Sequence, residues 1–560
     1  MEKLPLSEYP RPQLYRDSYK SLNGYWDYKI SKNSELPTSY DGKILVPFSP
    51  ETKLSGVNKV LQPDEYLFYH LSFSLSDFPL MDKLLLHFLA VDQIAEVFVN
   101  GKFIGKHVGG FLPFEFDIRE FVNTDKNDLV VRVKDYTDTS YFSRGKQKLK
   151  HGGIWYTPQS GIYFPVFLES VSFDYIKNIK FTPDIDKEEI IINIESDAKE
   201  AELHIFNMDR PIETNKDVHL KVKDMHLWSP SDPYLYFIRV KTDNDEVTSY
   251  FAMRKFSLVK DERGINRLGL NNKPLFMKGV LDQGYYKEGL LTPSSYDDYI
   301  KDIELVKSLG FNMIRKHIKI EIPRWYFECD KRGIIVWQDF VNGGEDYKLT
   351  TITLPLITGK HHSDHDYKKF SREIKEGREF AFNEALETIK YLYNVPSIGL
   401  WTIFNEGWGQ FDSEILYNEC LKLDKTRLYD HASGWHDQKI SDTKSYHVYF
   451  KHFKLPKISK EKNRAIILSE FGGFVYAVKD HTLKGNHVYK SFKNEKAWLK
   501  KYEGTIEKDV ISNIPKGLSA TVYTQLSDVE EEVNGFITFD REVIKFDIEK
   551  LKEINDRIKL

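Results

Sequence analysis

The chain has 560 residues, of which 41% are hydrophobic and 14% aromatic, and its 80 basic and 84 acidic side chains leave a formal net charge of −4. That length allows several domains with buried cores, while balanced charge without a long basic block speaks against a nucleic-acid partner. Cys329 and Cys420 stand outside any Cys-x-x-Cys spacing, the opening MEKLPLSEYPRP has no apolar signal segment, and no apolar run nears the ~20 residues that span a bilayer, so a cytoplasmic protein with no disulfide framework and no membrane contact is expected.

The first third reads as all-β. Runs of Val, Ile, Phe and Tyr at 25–30, 67–75, 83–89, 95–99, 129–133 and 166–171 are separated by Gly, Pro, Asn and Asp, the spacing of a sandwich. Asn100-Gly101 marks a hairpin, because both residues tolerate positive φ. Residues 1–173 form this first unit. Residues 174–258 read as a second β unit, with strands at 190–194, 201–205, 218–222 and 236–241, broken by Trp228-Ser229-Pro230 and Asp232-Pro233. Its length suits a small immunoglobulin-like sandwich.

From 259 to 560 strand-like runs alternate with amphipathic helical stretches, the signature of βα units around a parallel sheet. Strands are expected at 276–280, 312–315, 334–338, 398–404, 427–431, 445–448, 465–469 and 518–524. Helices are expected at 295–309, 323–332, 367–393, 413–423, 495–508 and 545–558. Eight parallel strands in ~300 residues match a (β/α)8 barrel.

Such a barrel gathers its chemistry at the C-terminal ends of its strands. The apolar run Ile398-Gly399-Leu400-Trp401-Thr402-Ile403-Phe404 leads into Asn405-Glu406-Gly407, and Ile466-Ile467-Leu468-Ser469 leads into Glu470-Phe471-Gly472. These are the fourth and seventh strands, on opposite sides of the mouth, so the two glutamates can converge on one substrate. A glutamate on an ordinary surface does nothing; placement directly after a buried barrel strand sets these two apart. Paired carboxyls serve glycoside hydrolysis, one as proton donor and the other as nucleophile, about 5–5.5 Å apart when configuration is retained. The run His361-His362-Ser363-Asp364-His365-Asp366 has metal-ligand residue types. It is a single loop without the HExxH helical spacing, so it reads as a solvated loop, with a rim of the active site as the alternative, and no metal or other cofactor is expected.

With these residues in place the chain resembles glycoside hydrolase family 2, the family of β-galactosidases, β-glucuronidases and β-mannosidases. The resemblance runs from Arg11-Pro12-Gln13-Leu14 and Leu22-Asn23-Gly24-Tyr25-Trp26 through Val46-Pro47-Phe48, Val99-Asn100-Gly101-Lys102, Gly109-Gly110-Phe111, Gly152-Gly153-Ile154-Trp155 and Leu227-Trp228-Ser229-Pro230. In the barrel it takes in Lys278-Gly279-Val280, Gly310-Phe311-Asn312-Met313-Ile314-Arg315, Val336-Trp337-Gln338-Asp339, the Trp401–Trp408 stretch and Ser469-Glu470-Phe471-Gly472.

The resemblance implies a jelly-roll sandwich, an immunoglobulin-like sandwich and a catalytic TIM barrel. It implies hydrolysis of a terminal β-linked sugar with retention, with Glu406 as acid/base and Glu470 as nucleophile. It also implies that Asn405 bonds the sugar 2-hydroxyl and that Arg315 orients the nucleophile. His317, His447 and Tyr449 would line the pocket, Asp282 would bind a hydroxyl pair, and Trp408 and Trp435 would stack on sugar rings. β-Glucuronidases of the family hold the substrate carboxylate with Asn-x-Lys; here Asn534-Gly535-Phe536 lacks the lysine. A uronic acid is therefore disfavoured, and a β-galactoside, a frequent substrate in the family, is expected, with β-mannoside, β-xyloside, arabinoside and β-glucuronide as alternatives. A metal-dependent hydrolase and a non-catalytic carbohydrate-binding protein are the readings from other classes, and the sandwich surfaces leave a homo-oligomer open.

Overall fold

The computed structural model describes residues 4–206, 208–455, 457, 461–483 and 489–560. Near the N-terminus a four-stranded sheet (Tyr19–Ser21, Val166–Val171, Lys83–Phe88, Phe114–Asp117) packs on a six-stranded one (Gly42–Val46, Gly24–Ser31, Tyr66–Phe73, Asn127–Lys134, Ile94–Val99, Lys102–Val108). Strict alternation in Asn127–Lys134 turns Leu129, Val131 and Val133 inward, where they meet Trp26, Ile44, Leu86 and Leu168 in one core. The hairpin at Asn100-Gly101 forms, with φ of 50° and 78°.

A second sandwich follows. Ile176–Asp184, Glu189–Ser196 and Val218–Lys221 make one sheet, and Met208–Glu213, Glu200–Ile205, Tyr236–Lys241 and Glu246–Phe251 make the other. The sequence pattern overlooks Met208–Glu213, which carries Pro211. Proline is tolerated there because the strand lies at the sheet edge. Trp228, wholly buried, donates its indole N–H to Asp330 O at 2.8 Å and ties this sandwich to the barrel.

The eight parallel strands are β1 (Met277–Asp282), β2 (Met313–Lys316), β3 (Ile335–Asp339), β4 (Ile398–Thr402), β5 (Leu428–Asp430), β6 (Thr443–Val448), β7 (Ala465–Gly472) and β8 (Leu518–Thr524). Each is hydrogen-bonded to its neighbours except across β5 and β6. That seam is bridged by side chains: Tyr429 N donates to Asp442 Oδ2 at 2.9 Å, and Ser445 Oγ to Asp430 Oδ1 at 2.6 Å. Leu281, Met313, Ile335, Trp337, Leu400 and Val522 fill the interior, and Phe256 and Leu268 of a preceding hairpin belong to the same core.

The helix expected at 367–393 begins only at Lys375. Ser371 takes φ of 58°, a left-handed conformation that a helix cannot continue through. The chain before it instead packs on the rim.

The first sandwich also builds the mouth of the barrel. Its stretch 141–157 lies over the loops that follow β3 and β8. Arg144 N and Gly145 N donate to Asn342 O at 3.0 and 3.1 Å, while Gly153 N donates to Glu531 Oε2 at 2.8 Å and Thr157 N to Glu530 Oε1 at 3.0 Å. Gly343 is essential to this docking, because a Cβ there would lie 2.3 Å from Phe142 O. Gly343→Val is expected to cost about 1–3 kcal/mol through overpacking and to open tryptic sites at Arg144, Lys146, Lys148 and Lys150. Limited proteolysis checks this, and an unchanged cleavage pattern would contradict it.

Candidate active site

The two glutamates are delivered by different local devices. β4 ends at Thr402, earlier than the apolar run suggests, and the chain continues to a parallel bridge between Asn405 and Ser433. Glu406 N donates to Ser433 O at 2.9 Å, and Trp435 Nε1 donates to Glu406 O at 2.8 Å. Between these anchors Glu406 has φ of 51°, a conformation that costs a non-glycine residue of order 1–3 kcal/mol and that clusters at functional sites. Gly407 follows at 72°, where a Cβ would lie 2.5 Å from the His436 ring.

Glu470 lies inside β7 rather than after it. The register of β7 slips against β6 between Tyr446 and His447, and against β8 between Leu468 and Phe471. An irregularity of this kind bends a strand and re-aims a side chain. Alternation of apolar residues cannot reveal it, which is why the strand seems in sequence to stop at Ser469.

A carboxyl oxygen of Glu406, one of Glu470 and a ring nitrogen of His447 lie within 4.8 Å of one another. His447 Nδ1 is 2.8 Å from Glu406 Oε1 and 3.5 Å from Glu470 Oε2, and its Nε2 is 3.0 Å from Ser433 Oγ. Arg315, fully buried at the end of β2, fans out to four partners. Nε donates to Asp339 Oδ1 at 2.9 Å, Nη1 to Glu470 Oε1 at 3.0 Å and Ser469 O at 3.1 Å, and Nη2 to Asn405 Oδ1 at 2.8 Å. Tyr449 donates its hydroxyl to Glu470 Oε2. His317 Nδ1 lies 2.8 Å from Asp339 Oδ2, and burial lowers the pKa of His317.

These surroundings drive the two carboxyls apart. Burial raises the pKa of Glu406; the His447 hydrogen bond pulls it back, the charge of Glu470 pushes it up, and the net shift is upward. Burial also works to raise Glu470, but His447 and Arg315, with smaller help from His317 and the Tyr449 hydroxyl, more than offset it and hold the group below its ordinary value. The two neighbouring carboxyls are thus pushed in opposite directions.

The remaining expected residues fall into two sets. Asn405 has one amide face on Arg315, and its buried Nδ2 has no protein partner. Trp408 packs against Trp155, Tyr347 and His317 at ring distances of 5.2, 6.3 and 6.0 Å, with its indole N–H unpaired. Trp435 stands edge-on to His447 at 5.6 Å and anchors Glu406. Asp282 is held from within the protein: its carboxylate is engaged by Lys316 Nζ at 2.6 Å and Gly284 N at 2.8 Å within a buried cluster that includes Glu321 and Lys319.

The 361–366 run serves as a rim clasp. Asp364 accepts from Gln410 Nε2 at 3.0 Å and Ser413 N at 3.2 Å, His365 pairs with Asp412 at 2.8 Å, and His362 N donates to His436 at 3.1 Å. Among the described residues, two groups bring three ligand-type side chains together: Glu406, His447 and Glu470, and His481, Asp540 and Glu542. Arg315 on Glu470 and Lys287 on Asp540 oppose a cation in each.

The sequence gives no role to Lys146, whose charge acts on Glu406, to Tyr489, on which Glu406, Glu470 and Glu532 act, or to Asp339. Asp339 follows an apolar strand and could have been found by the rule that found Glu406. Nothing in the local pattern separates Lys146 from the lysines around it.

Comparison with known proteins gives three domain matches along the chain: the sugar binding domain of glycosyl hydrolases family 2 at residues 57–170, a further family 2 domain at 175–254, and the family 2 TIM barrel domain at 261–559. A β-galactosidase of Thermoanaerobacter pseudethanolicus is 24% identical over 427 residues, which covers 71% of this chain and 53% of that protein. A putative β-glucuronidase of Formosa agariphila is 27% identical over 390 residues, 65% of this chain and 34% of that protein. The chain thus spans about a third to a half of these relatives' length. Among solved structures, a β-galacturonidase from Eisenbergiella tayi superposes with a TM-score of 0.73 at 18% identity, covering 99% of this chain and 98% of that one. A β-D-glucuronidase of Dictyoglomus thermophilum superposes at 0.75 and 20%, covering 98% and 99%. At such identities the likeness establishes the fold.

The divided pair yields a spectroscopic prediction. His447→Phe removes the contact that lowers Glu406, so the Glu406 pKa rises further. In pH-difference infrared spectra, with Glu406→Gln as the subtraction, the protonated carboxyl band should persist to higher pH in His447→Phe than in the parent. An unmoved midpoint would contradict the assignment.

Proposed function

We propose, for a chain that belongs to glycosyl hydrolases family 2, the activity of a retaining exo-glycosidase acting on a terminal β-linked sugar, with a β-galactoside as the preferred substrate. The observation that carries the reading is the carboxyl pair: oxygens within 4.8 Å, one group raised and the other lowered. That spacing suits double displacement, in which no water has to fit between acid and sugar in the first step.

In this reading Glu470 attacks the anomeric carbon while Glu406 gives its proton to the departing glycosidic oxygen. A glycosyl ester on Glu470 forms as the bond to the aglycone breaks. Glu406, now ionised, takes a proton from water, and that water releases the sugar with its original configuration. Arg315 and Tyr449 keep Glu470 ionised and aimed. The unpartnered Asn405 Nδ2 donates to the sugar 2-hydroxyl, a bond that strengthens as charge develops on the ring. Trp408 offers an aromatic wall. The β-galactoside preference draws on the missing lysine after Asn534 and on the relatives' names. The finer expectations of residues 1–173, 174–258 and 259–560 as sugar-binding-like, immunoglobulin-like and catalytic units belong to the same reading. So does a cytoplasmic location, which suits two free, buried cysteines.

The test is hydrolysis of chromogenic α- and β-glycosides. The parent should cleave one β-glycoside above the rest, and Glu470→Gln should lower its turnover by about 10³-fold or more. Near-parental turnover by Glu470→Gln would defeat the mechanism.

A further inference from the structure

We propose that Lys146 of the first sandwich and Glu532 of the barrel form a composite element that selects a neutral terminal sugar through its hydroxyls; this rests on the glycosidase reading above. Four lysines are buried among the described residues: Lys146, Lys316, Lys319 and Lys545. Three of them are well bonded. Lys316 Nζ has carboxylates at 2.6 and 2.8 Å, Lys319 Nζ has acceptors at 2.6, 2.8 and 2.8 Å, and Lys545 Nζ has acceptors at 2.6 and 2.9 Å. Lys146 Nζ has only Glu532 Oε2 and Tyr156 OH, both at 3.4 Å, and that Tyr156 hydroxyl itself donates to Glu532. An ammonium carries three donors and forms charge-assisted bonds near ~2.8 Å. Lys146 is therefore under-bonded where water is scarce, a costly arrangement unless a ligand completes it.

Its position points to which ligand. The Lys146 charge acts on Glu406 and on His317, and its ammonium lies 5.9 Å from the Trp408 ring centre. Glu532, Glu406 and Glu470 all act on the hydroxyl of Tyr489. Geometry links them to the pair: Trp408 packs at 6.0 Å on His317, and Tyr489, on which Glu532 acts, packs at 5.2 Å on the Tyr449 that donates to Glu470. The docked stretch from Arg144 to Thr157 fixes Lys146 there.

Charge decides the class of sugar. Arg315 and Lys146 face Glu470, Asp339 and Glu532, so a uronic acid would add a carboxylate beside Glu532 and compete for one under-bonded ammonium. A pair of hydroxyls fits both partners, one donating to Glu532 and the other accepting from Lys146.

The experiment measures kcat/KM on 4-nitrophenyl β-galactoside, β-glucoside and β-mannoside and on the β-glucuronide and β-galacturonide. The parent should favour a neutral glycoside. Glu532→Gln, which removes the charge and keeps the shape, should raise the uronide-to-neutral ratio about ten-fold or more. Lys146→Met should lower kcat/KM on the best neutral substrate by about 10²-fold, with partial rescue in Lys146→Arg. If Lys146→Met does not fold, Lys146→Arg carries the test, because moving the donors should still shift the ratio. A parent that prefers uronides, or variants that scale every substrate equally, would overturn this inference and leave the glycosidase reading standing. A parent that cleaves none of the substrates would overturn both.

Discussion

The Arg315 guanidinium is the interaction on which the mouth of the barrel depends. It rises from β2 and binds Asp339 of β3, Asn405 beyond β4 and both Ser469 O and Glu470 of β7. A planar fork with five donors suits this role in a way a lysine could not. Breaking it would leave a buried charge unpaired, at a cost of several kcal/mol, and would free the four acceptors it now holds in place. With His447, the same guanidinium holds the Glu470 pKa down, and it orients Asn405, so architecture and chemistry share one set of bonds.

Around that hub the two carboxyls are tuned by contact rather than by distance alone. Both are buried, and burial pushes both upward. Glu470 escapes because Arg315, His447 and Tyr449 surround it. Glu406 keeps a single hydrogen bond from His447 and the repulsion of its neighbour. The backbone contributes the strained turn at Glu406 and the register slip at Glu470, each fixed by hydrogen bonds from adjacent strands.

Much of this was legible in sequence for a simple reason. Buried parallel strands read as continuous apolar runs, and the polar residue that ends such a run stands at the mouth. That rule located Glu406 and Glu470 and, with the family resemblance, Arg315, Asn405, His447 and Tyr449. It could not show the register slip that brings Glu470 inside β7, because a slip leaves no mark on composition. It gave no hint of the ion pair at Asp282, whose partner Lys316 lies next to Arg315 on β2 and gives no sign in sequence of pointing back to β1. It also missed Lys146 and Glu532, which are 386 residues apart and meet only because the sandwich docks on the barrel. Residues gathered from separate folding units carry no local signature.

The central claim is that Glu470 becomes covalently glycosylated during turnover. A 2-deoxy-2-fluoro-β-galactoside with a reactive leaving group slows release of the sugar more than its transfer, so the ester accumulates. Intact-mass measurement followed by peptide mapping should find one fluoroglycosyl group, carried on Glu470 within the β7 segment Ala465–Gly472. An adduct on Glu406 or any other residue, or turnover of the parent β-glycoside with inverted configuration, would contradict the account.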